Sequence, residues 1–292
     1  MMGVFETDEK VELFDRSRSK LFGIAYRMLG TRDDAEDILQ EAYIRWHKAD
    51  PNEIETPEAW LVTVITRLSI DRLRKASHER ETYIGPWLPE PIVTTPSPQE
   101  TAELASSLSI AFLTLLERLS PVERAVFLLH DIFDCEYSEI ARITGKNEAS
   151  VRQTIHRART RVRTDKPRFE INRSEHRKLI ERFSAAAYSG DEKALLGLFS
   201  KDITVMSDGG GKVTAARKIV SGLGKVVRLF TVAFPTVREH VTTEIIEING
   251  ELGVVEYYDG VPFAATTLAI EGDKITGLYR LMNPDKLKAF AK

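Results

Sequence analysis

Between residues 82 and 99 the chain carries Pro86, Pro89, Pro91, Pro96 and Pro98, five of its twelve prolines. Proline has no backbone N–H and holds φ near about −65°, so no helix and no central strand runs through this stretch. The segment is expected to be extended or polyproline-like, and at roughly 3.3 Å per residue it could reach about 60 Å. It therefore divides the 292-residue chain into separately folding parts. That length is enough for two or three compact domains.

The part before it reads as helical. Leu13, Leu21, Phe22, Ala25, Met28 and Leu29 recur at helical spacing and Gly30 stops the run. Asp33 or Asp34 is placed to cap a second helix with the apolar stripe Ala35, Ile38, Leu39, Ala42, Tyr43 and Trp46, which Pro51 breaks. Thr56, Pro57 and Glu58 open a third helix to about Glu81 as cap, first-turn proline and dipole-matched acid. Beyond the prolines, helices are expected at about 100–117 and 121–133, the latter opened by Ser120-Pro121 with Glu123. Ile140, Ala141 and Ile143 then mark a short helix ending at Gly145, and Asn147 caps a second whose apolar face is Val151, Ile155, Ala158 and Val162. Helix, glycine turn and basic helix make a helix-turn-helix.

Pro167 and the polar run to Ser174 form a second linker. After it, 175–198 is helical and 212–234 partly so. Strand-like alternation follows at Ile203–Val205, Val237–Ile248, Gly253–Tyr257, Phe263–Ile270 and Lys274–Leu281, with hairpin turns at Asn249-Gly250 and Gly272-Asp273. Helices followed by a curved antiparallel sheet give an α+β fold, a half-open cone.

The formal net charge of −3 argues against a free-standing DNA binder. Charge is uneven, though. Arg152, Arg157, Arg159, Arg161 and Arg163 fall in 150–163 with no acid among them, and Arg67, Arg72, Arg74, Lys75 and Arg80 form a second basic group. Such faces on a near-neutral chain suit a protein brought to DNA by a larger partner. Cys135 is the only cysteine, which excludes a disulfide framework and a thiolate zinc site; no metal or cofactor is expected. No apolar run reaches the roughly 20 residues of a membrane span, and acids precede the first apolar stretch at the N-terminus. The chain therefore reads as cytoplasmic.

In a helix-turn-helix the N-terminal residues of the second helix meet base edges. Asn147, Ser150, Arg152, Gln153 and Thr154 are the candidate readers, since Arg pairs bidentately with guanine and Gln with adenine. Arg157 and Arg159, with Arg161 and Arg163, are placed to grip phosphates. The plain alternative is a solvated basic face on an ordinary helical hairpin.

Three segments together carry a resemblance. Residues 30–49 (GTRDDAEDILQEAYIRWHKA) resemble the polymerase-binding helix of sigma domain 2, and 60–75 (WLVTVITRLSIDRLRK) resemble its promoter-recognition helix. Residues 120–163 resemble sigma domain 4, the reader of the upstream (−35) element. The ordered set is similar to the extracytoplasmic-function (ECF) RNA polymerase sigma factors and covers 9–164. This implies core RNA polymerase and promoter DNA as partners. It puts Asp34, Asp37, Gln40 and Glu41, beside Glu36, on an acidic face for core polymerase. It puts Trp60, Arg67, Asp71, Arg72 and Arg74 toward the −10 element, with the loop 47–57 placed to hold a flipped base. Many relatives carry asparagine where Arg67 stands, so base preference does not transfer. Trp46 and Trp60 also fit an apolar core.

Three further fragments are similar to signatures of the ECF subgroup with a fused SnoaL-like domain of the NTF2-like cone fold. They are Trp87, Leu88, Pro89, Glu90 and Pro91; Asp208, Gly209, Gly210, Gly211 and Lys212; and Asn283, Pro284, Asp285, Lys286 and Leu287. The resemblance implies that the appended domain contacts the linker or the helical domains and modulates polymerase engagement in cis. The expected organisation is sigma domain 2 (1–81), linker (82–99), sigma domain 4 (100–165), a second linker (166–174) and the SnoaL-like domain (175–292). Two all-α domains thus precede an α+β cone.

Residues 208–212 do not complete the nucleotide-binding P-loop motif, because Lys212 is followed by Val213 rather than Ser or Thr. Within the cone Asp208, Glu256, Asp259, His240, Tyr257 and Tyr258 are the acid–base candidates, and no spacing pairs them. The expectation is no enzyme, a ligand of the C-terminal domain left unspecified, and no requirement for a separate anti-sigma factor. A one-component helix-turn-helix regulator with a small-molecule domain is the alternative; it leaves 9–81 unexplained. An isomerase- or cyclase-like enzyme tethered to DNA is the third.

Overall fold

The computed structural model describes residues 2–50, 53–94, 107–163, 173–233 and 240–291. The chain divides into two compact units, Met1–Glu81 with Leu116–Asp165, and Thr82–Leu115 with Lys166–Lys292. The expectations resting on Pro51, Pro96, Pro98, Pro167, most of 166–174 and the helix start at 100–106 lie outside the described residues.

The first unit is helical. Helices α1 (Met2–Leu29), α2 (Arg32–Lys48) and α3 (Pro57–Glu81) pack on one another. Phe14, Leu21, Ala25, Met28 and Leu29 of α1, Ala35, Ile38, Leu39, Ala42 and Trp46 of α2, and Leu61, Ile65 and Leu73 of α3 are buried. Their recurrence three and four apart lays them along one face of each helix. Gly30 closes α1 at φ 76°, a backbone region that glycine enters without penalty. Thr31, rather than Asp33 or Asp34, stands at the head of α2; the two acids occupy its first turn, where they face the positive end of the helix dipole.

Helix α4 (Ile110–Leu116) belongs to the second unit except for Leu116; after it α5 (Pro121–Asp131), in the first unit, starts with a reciprocal cap. The Glu123 amide donates to Ser120 Oγ at 3.4 Å and the Ser120 amide to Glu123 Oε2 at 3.0 Å. Helix α6 (Tyr137–Thr144) ends at Gly145, and Asn147 Oδ1 accepts the Ser150 amide at 2.8 Å at the head of α7 (Glu148–Arg163). Buried Ile140, Ile143, Val151, Ile155, Ala158 and Val162 close this helix-turn-helix. Helix α5 also packs on α1 and α3. There Arg124, fully buried, donates to the Met28 carbonyl and to Glu117 Oε1, both at 2.8 Å. Arg80 shares Glu117 and donates to the Leu29 carbonyl at 2.6 Å. One carboxylate and two helix-end carbonyls thus compensate two guanidinium groups.

The second unit is α+β. It comprises α8 (Arg173–Ser189), α9 (Glu192–Leu198), β1 (Phe199–Asp208), β2 (Val220–Ser221), α10 (Leu223–Arg228) with a π turn at Leu229–Ala233, β3 (Val241–Ile248), β4 (Glu251–Tyr258), β5 (Val261–Glu271) and β6 (Lys274–Leu281). The six-stranded sheet runs β2-β1-β6-β5-β4-β3. β1 lies parallel to β6 and every other pair is antiparallel, a departure from the wholly antiparallel sheet expected. The hairpin signals fixed only neighbouring strands; the β1–β6 pair joins strands separated by the helical excursion and by β3, β4 and β5. Register shifts at Glu256/Tyr257 and Ala269/Ile270 bend the sheet.

One face packs Leu252, Val254, Leu268 and Leu278 against Ile180, Phe183, Leu195, Val226 and Phe230. Helices α8, α9 and α10 cover this face. The opposite face carries Ile248, Val255, Tyr257, Ala265 and Leu281, and it too is covered, by Leu88, Ile110, Leu287 and Phe290.

Candidate functional site

Part of the cover on the second face comes from the proline-rich segment. Leu88 is wholly buried on the sheet, and Val93 forms an antiparallel bridge with Ile248. The Thr94 amide donates to the Glu247 carbonyl at 3.2 Å and the Asn249 amide to the Ile92 carbonyl at 2.9 Å. Asn249 Oδ1 accepts the Ile92 amide at 2.8 Å, and Asn249 Nδ2 donates to the Leu108 carbonyl at 3.0 Å. The linker thus adds a short strand beside β3, the edge strand of the sheet. The expectation of an extended backbone holds. Residues 83–94 are bonded into the second unit, so they do not contribute to the reach of about 60 Å that the segment could have.

Upstream of that strand the three signature fragments meet at Asp208, which is completely buried. Its Oδ1 accepts the Tyr83 hydroxyl at 2.6 Å and the Gly210 amide at 3.1 Å. Its Oδ2 accepts the Leu88 amide at 2.9 Å and pairs with Lys286 Nζ at 2.7 Å. Its carbonyl takes the Met282 and Asn283 amides at 2.7 and 2.8 Å. Lys286 also donates to the Leu88 carbonyl, and its ammonium lies 4.3 Å from the Trp87 ring centroid and 5.2 Å from that of Tyr83. Asn283 Nδ2 donates to the Tyr83 hydroxyl at 2.9 Å, and burial, then the hydrogen bond to Asp208, raise that hydroxyl's pKa. A buried carboxylate is stable only when charge and hydrogen bonds surround it, as they do here.

Glycine is required at two places in this lock. Gly210 has φ 59°, and a Cβ there would lie 2.4 Å from Asn283 Nδ2; Gly211, at φ 72°, would place one 2.8 Å from Ile84. Asp285 pairs with Lys212 at 2.5 Å across the surface. Pro89 and Pro91 are buried, Glu90 and Trp87 half-buried, and Pro284 opens a 3-10 turn whose cap is Asn283. Tyr83 belongs to the lock and was not among the sequence candidates. Its one signal is an aromatic residue just before the prolines.

In the first unit the acidic face of α2 is only partly free. Asp34 accepts Thr31 Oγ1 at 2.7 Å and Arg72 Nε at 2.8 Å, and Arg72 also reaches Glu79. Asp34 and Arg72, read as parts of two different surfaces, form one ion pair instead: α2 and α3 bring them together from 38 residues apart. Glu36 pairs with Arg18 and Glu41 with Arg45. Asp37 and Gln40 are exposed, and Ile44, 40% exposed on the next turn, extends their stripe. Ile44 was missed because an apolar residue in a helix defaults to the core.

Along α3, Trp60 is half-buried against Trp46 with ring centroids 5.7 Å apart, and Asp71 pairs with Arg74 on an exposed turn. Arg67 donates from Nε to the Ile143 carbonyl and from Nη2 to the Arg142 carbonyl, both at 2.9 Å. It therefore satisfies the open carbonyls at the end of α6.

On α7, Arg152, Gln153 and Arg157 are exposed, while Arg152 stacks over Tyr137 at 4.2 Å and reaches Glu148. Thr154 is buried with its hydroxyl donated to the Ser150 carbonyl at 2.8 Å, so it belongs to helix packing and not to the exposed reading face. Arg159 is held bidentately by Asp131 at 2.7 to 3.1 Å, and Arg161 pairs with Glu123 at 2.7 Å. The acids missing from 150–163 are supplied by α5. Burial tends to raise Glu123, but the Ser120 hydrogen bonds and the Arg161 and Arg157 charges outweigh it and hold its carboxyl below the usual range.

The acid–base candidates of the cone do not converge. Glu256 is buried in a bidentate pair with Arg280, whose Nη1 lies 2.7 Å from Glu256 Oε1 and also reaches Thr266. His240 and Asp259 pair at 3.1 Å on the surface. Among the described residues no cluster of three metal-ligating side chains occurs, and no helix is long and apolar enough to cross a membrane.

Comparison with known proteins agrees with this geometry. The family "Sigma-70 region 2" matches residues 13–79 and "Sigma-70, region 4" matches 109–162. The ECF RNA polymerase sigma factor SigJ of Mycobacterium tuberculosis is 36% identical over 291 residues, covering 95% of this chain and 93% of its own length. A probable ECF sigma factor, SigI, of the same species is 30% identical over 278 residues, with 92% of each chain covered. The crystal structure of SigJ superposes with a TM-score of 0.77 at 35% identity, covering 96% of this chain and 98% of that one. With both sigma regions in order and full-length similarity that includes the appended domain, this chain belongs to the ECF RNA polymerase sigma factors.

Proposed function

We propose that this sigma factor engages core polymerase through Asp37, Gln40, Glu41 and Ile44 of α2, and reads promoter DNA through α3 and α7. We propose further that its C-terminal domain sets its output by holding the linker. The observation that carries the last claim is the convergence of Trp87–Pro91, Asp208–Lys212 and Asn283–Leu287 on one buried carboxylate. A spacer that merely joined two domains would need no buried ion pair, since such a pair contributes little net stability and is costly when broken.

On the DNA side, Arg152 and Gln153 are the exposed readers and Arg157 the phosphate contact, with Arg159 orienting α5 against α7. Trp60, Arg67, Asp71 and Arg74 serve the −10 side. Arg67 must exchange its carbonyl partners for DNA to do so. The cone contributes no bond chemistry: its buried acid–base candidates Asp208 and Glu256 are occupied by Lys286 and Arg280 and are no free bases. The work is done beside polymerase in the cytoplasm, and the fused domain supplies in cis the control that a separate anti-sigma factor would supply in trans.

The test is transcription by purified core polymerase from a promoter selected with the wild-type chain, using Asp37→Lys, Arg157→Ala and Lys286→Met variants. Asp37→Lys should lower polymerase affinity, Arg157→Ala promoter affinity, and Lys286→Met only the output per bound complex. Wild-type behaviour from all three overturns the assignments.

A further inference from the structure

We propose that the second unit binds a small organic anion in a cavity between the glycine loop after β1 and the start of the linker. The cavity, of about 340 Å³, is lined by Ile84 and Gly85 of the linker and by residues of the stretch from Ser207 to Arg217. That volume is at the lower end for small-molecule pockets, roughly 300 Å³ and upward.

Its chemistry is one-sided. Arg217 lines it without an ion pair or hydrogen bond among the described residues, and Lys212 lines it from the surface pair with Asp285. No carboxylate is among the lining residues. Ser207 is 4% exposed, lines the cavity, and its hydroxyl has no partner among the described residues. An unpaired guanidinium and a waiting donor select a carboxylate or phosphate head. Ile84, Val213, Ala215 and Ala216 offer a short apolar body a surface to cover.

The loop is built to keep the cavity open on this side. A Cβ on Gly209 would lie 2.7 Å from Ala215 Cβ and 2.9 Å from the Val213 carbonyl, so only glycine lets residues 213–215 fold back over it. Ile84 follows Tyr83, which hydrogen-bonds Asp208. An occupant touching Ile84 and Gly85 therefore ties the linker's first residues to the loop, giving the lock a ligand-dependent strength. This rests on the linker placement underlying the proposed control but not on promoter output.

The full chain, without polymerase, is titrated calorimetrically with benzoate, phenyl phosphate, acetate, inorganic phosphate and neutral benzamide. Saturable binding of benzoate or phenyl phosphate is expected, and whichever is tighter names the head group. Benzamide should bind at least about tenfold more weakly. Arg217→Gln, at an exposed position, should weaken binding at least about tenfold, and Ser207→Ala about threefold or more. Amide exchange at 83–88 should slow at saturating ligand. Absence of saturable binding by every probe below about 10 mM overturns the site, as does undiminished binding by Arg217→Gln. Unchanged exchange at 83–88 overturns the coupling to the linker.

Discussion

At the scale of single residues, charge is what the fold redistributes. Asp208 and Lys286 lie 78 residues apart in sequence and form a buried pair. Asp208→Ala leaves the Lys286 ammonium buried without its counter-charge, which should cost about 3–5 kcal/mol. Adding Lys286→Met should recover part of that, so the two costs are less than additive. Amide exchange of β1 and β6 measures both, and full additivity would deny the pairing. Arg157 and Arg159 make a second contrast. Arg157→Ala should lower the salt dependence of promoter binding by about one unit of slope. Arg159→Ala should instead loosen α5 from α7, because its guanidinium is occupied by Asp131. Binding measured against salt concentration separates them. The sequence showed these arginines and the three signature fragments. It did not show Asp131 beside Arg159 or Arg72 on Asp34, since both partners arrive by tertiary packing from distant turns.

At the scale of elements, local chemistry was legible where it closes on itself. Ser120-Pro121 with Glu123 and the glycine stop at Gly145 are satisfied within a few residues, and the Asn249-Gly250 turn joins two adjacent strands; each is found as read. Thr31 was passed over for Asp33 and Asp34 because all three residue types suit the head of a helix. The parallel β1–β6 pair was hidden because no short turn announces it. The linker was legible as extended backbone but not as a strand, since its partners, Glu247 and Asn249, lie more than 150 residues later. Leu88 and Ile92 among the prolines were the available signal. Thr94→Pro removes the amide that donates to the Glu247 carbonyl and should release this end of the linker. Proteolysis of the full chain near residue 94 should accelerate while the 83–88 lock persists. Equal cleavage rates would show that the added strand contributes no protection.

At the scale of the whole molecule, the grouping of the chain departs from its order in sequence. Region 2 and most of region 4 are in one unit, while residues 82–115, the linker and the start of region 4, belong to the other. Proline content announces where domains are separated, but it carries no information about which domain takes hold of the intervening segment. That placement is the physical basis of the proposed control by the appended domain, because Asp208 of β1 holds both the linker, at Tyr83 and Leu88, and the C-terminal turn, at Lys286. The most direct measurement compares transcripts per bound polymerase for the full-length wild type and Asp208→Ala, at saturating sigma factor on a promoter selected with the wild type. A change of at least about fivefold at equal polymerase occupancy is predicted, corresponding to about 1 kcal/mol of coupling. Identical output from both proteins, with the lock shown to be broken by exchange at 83–88, would contradict the account.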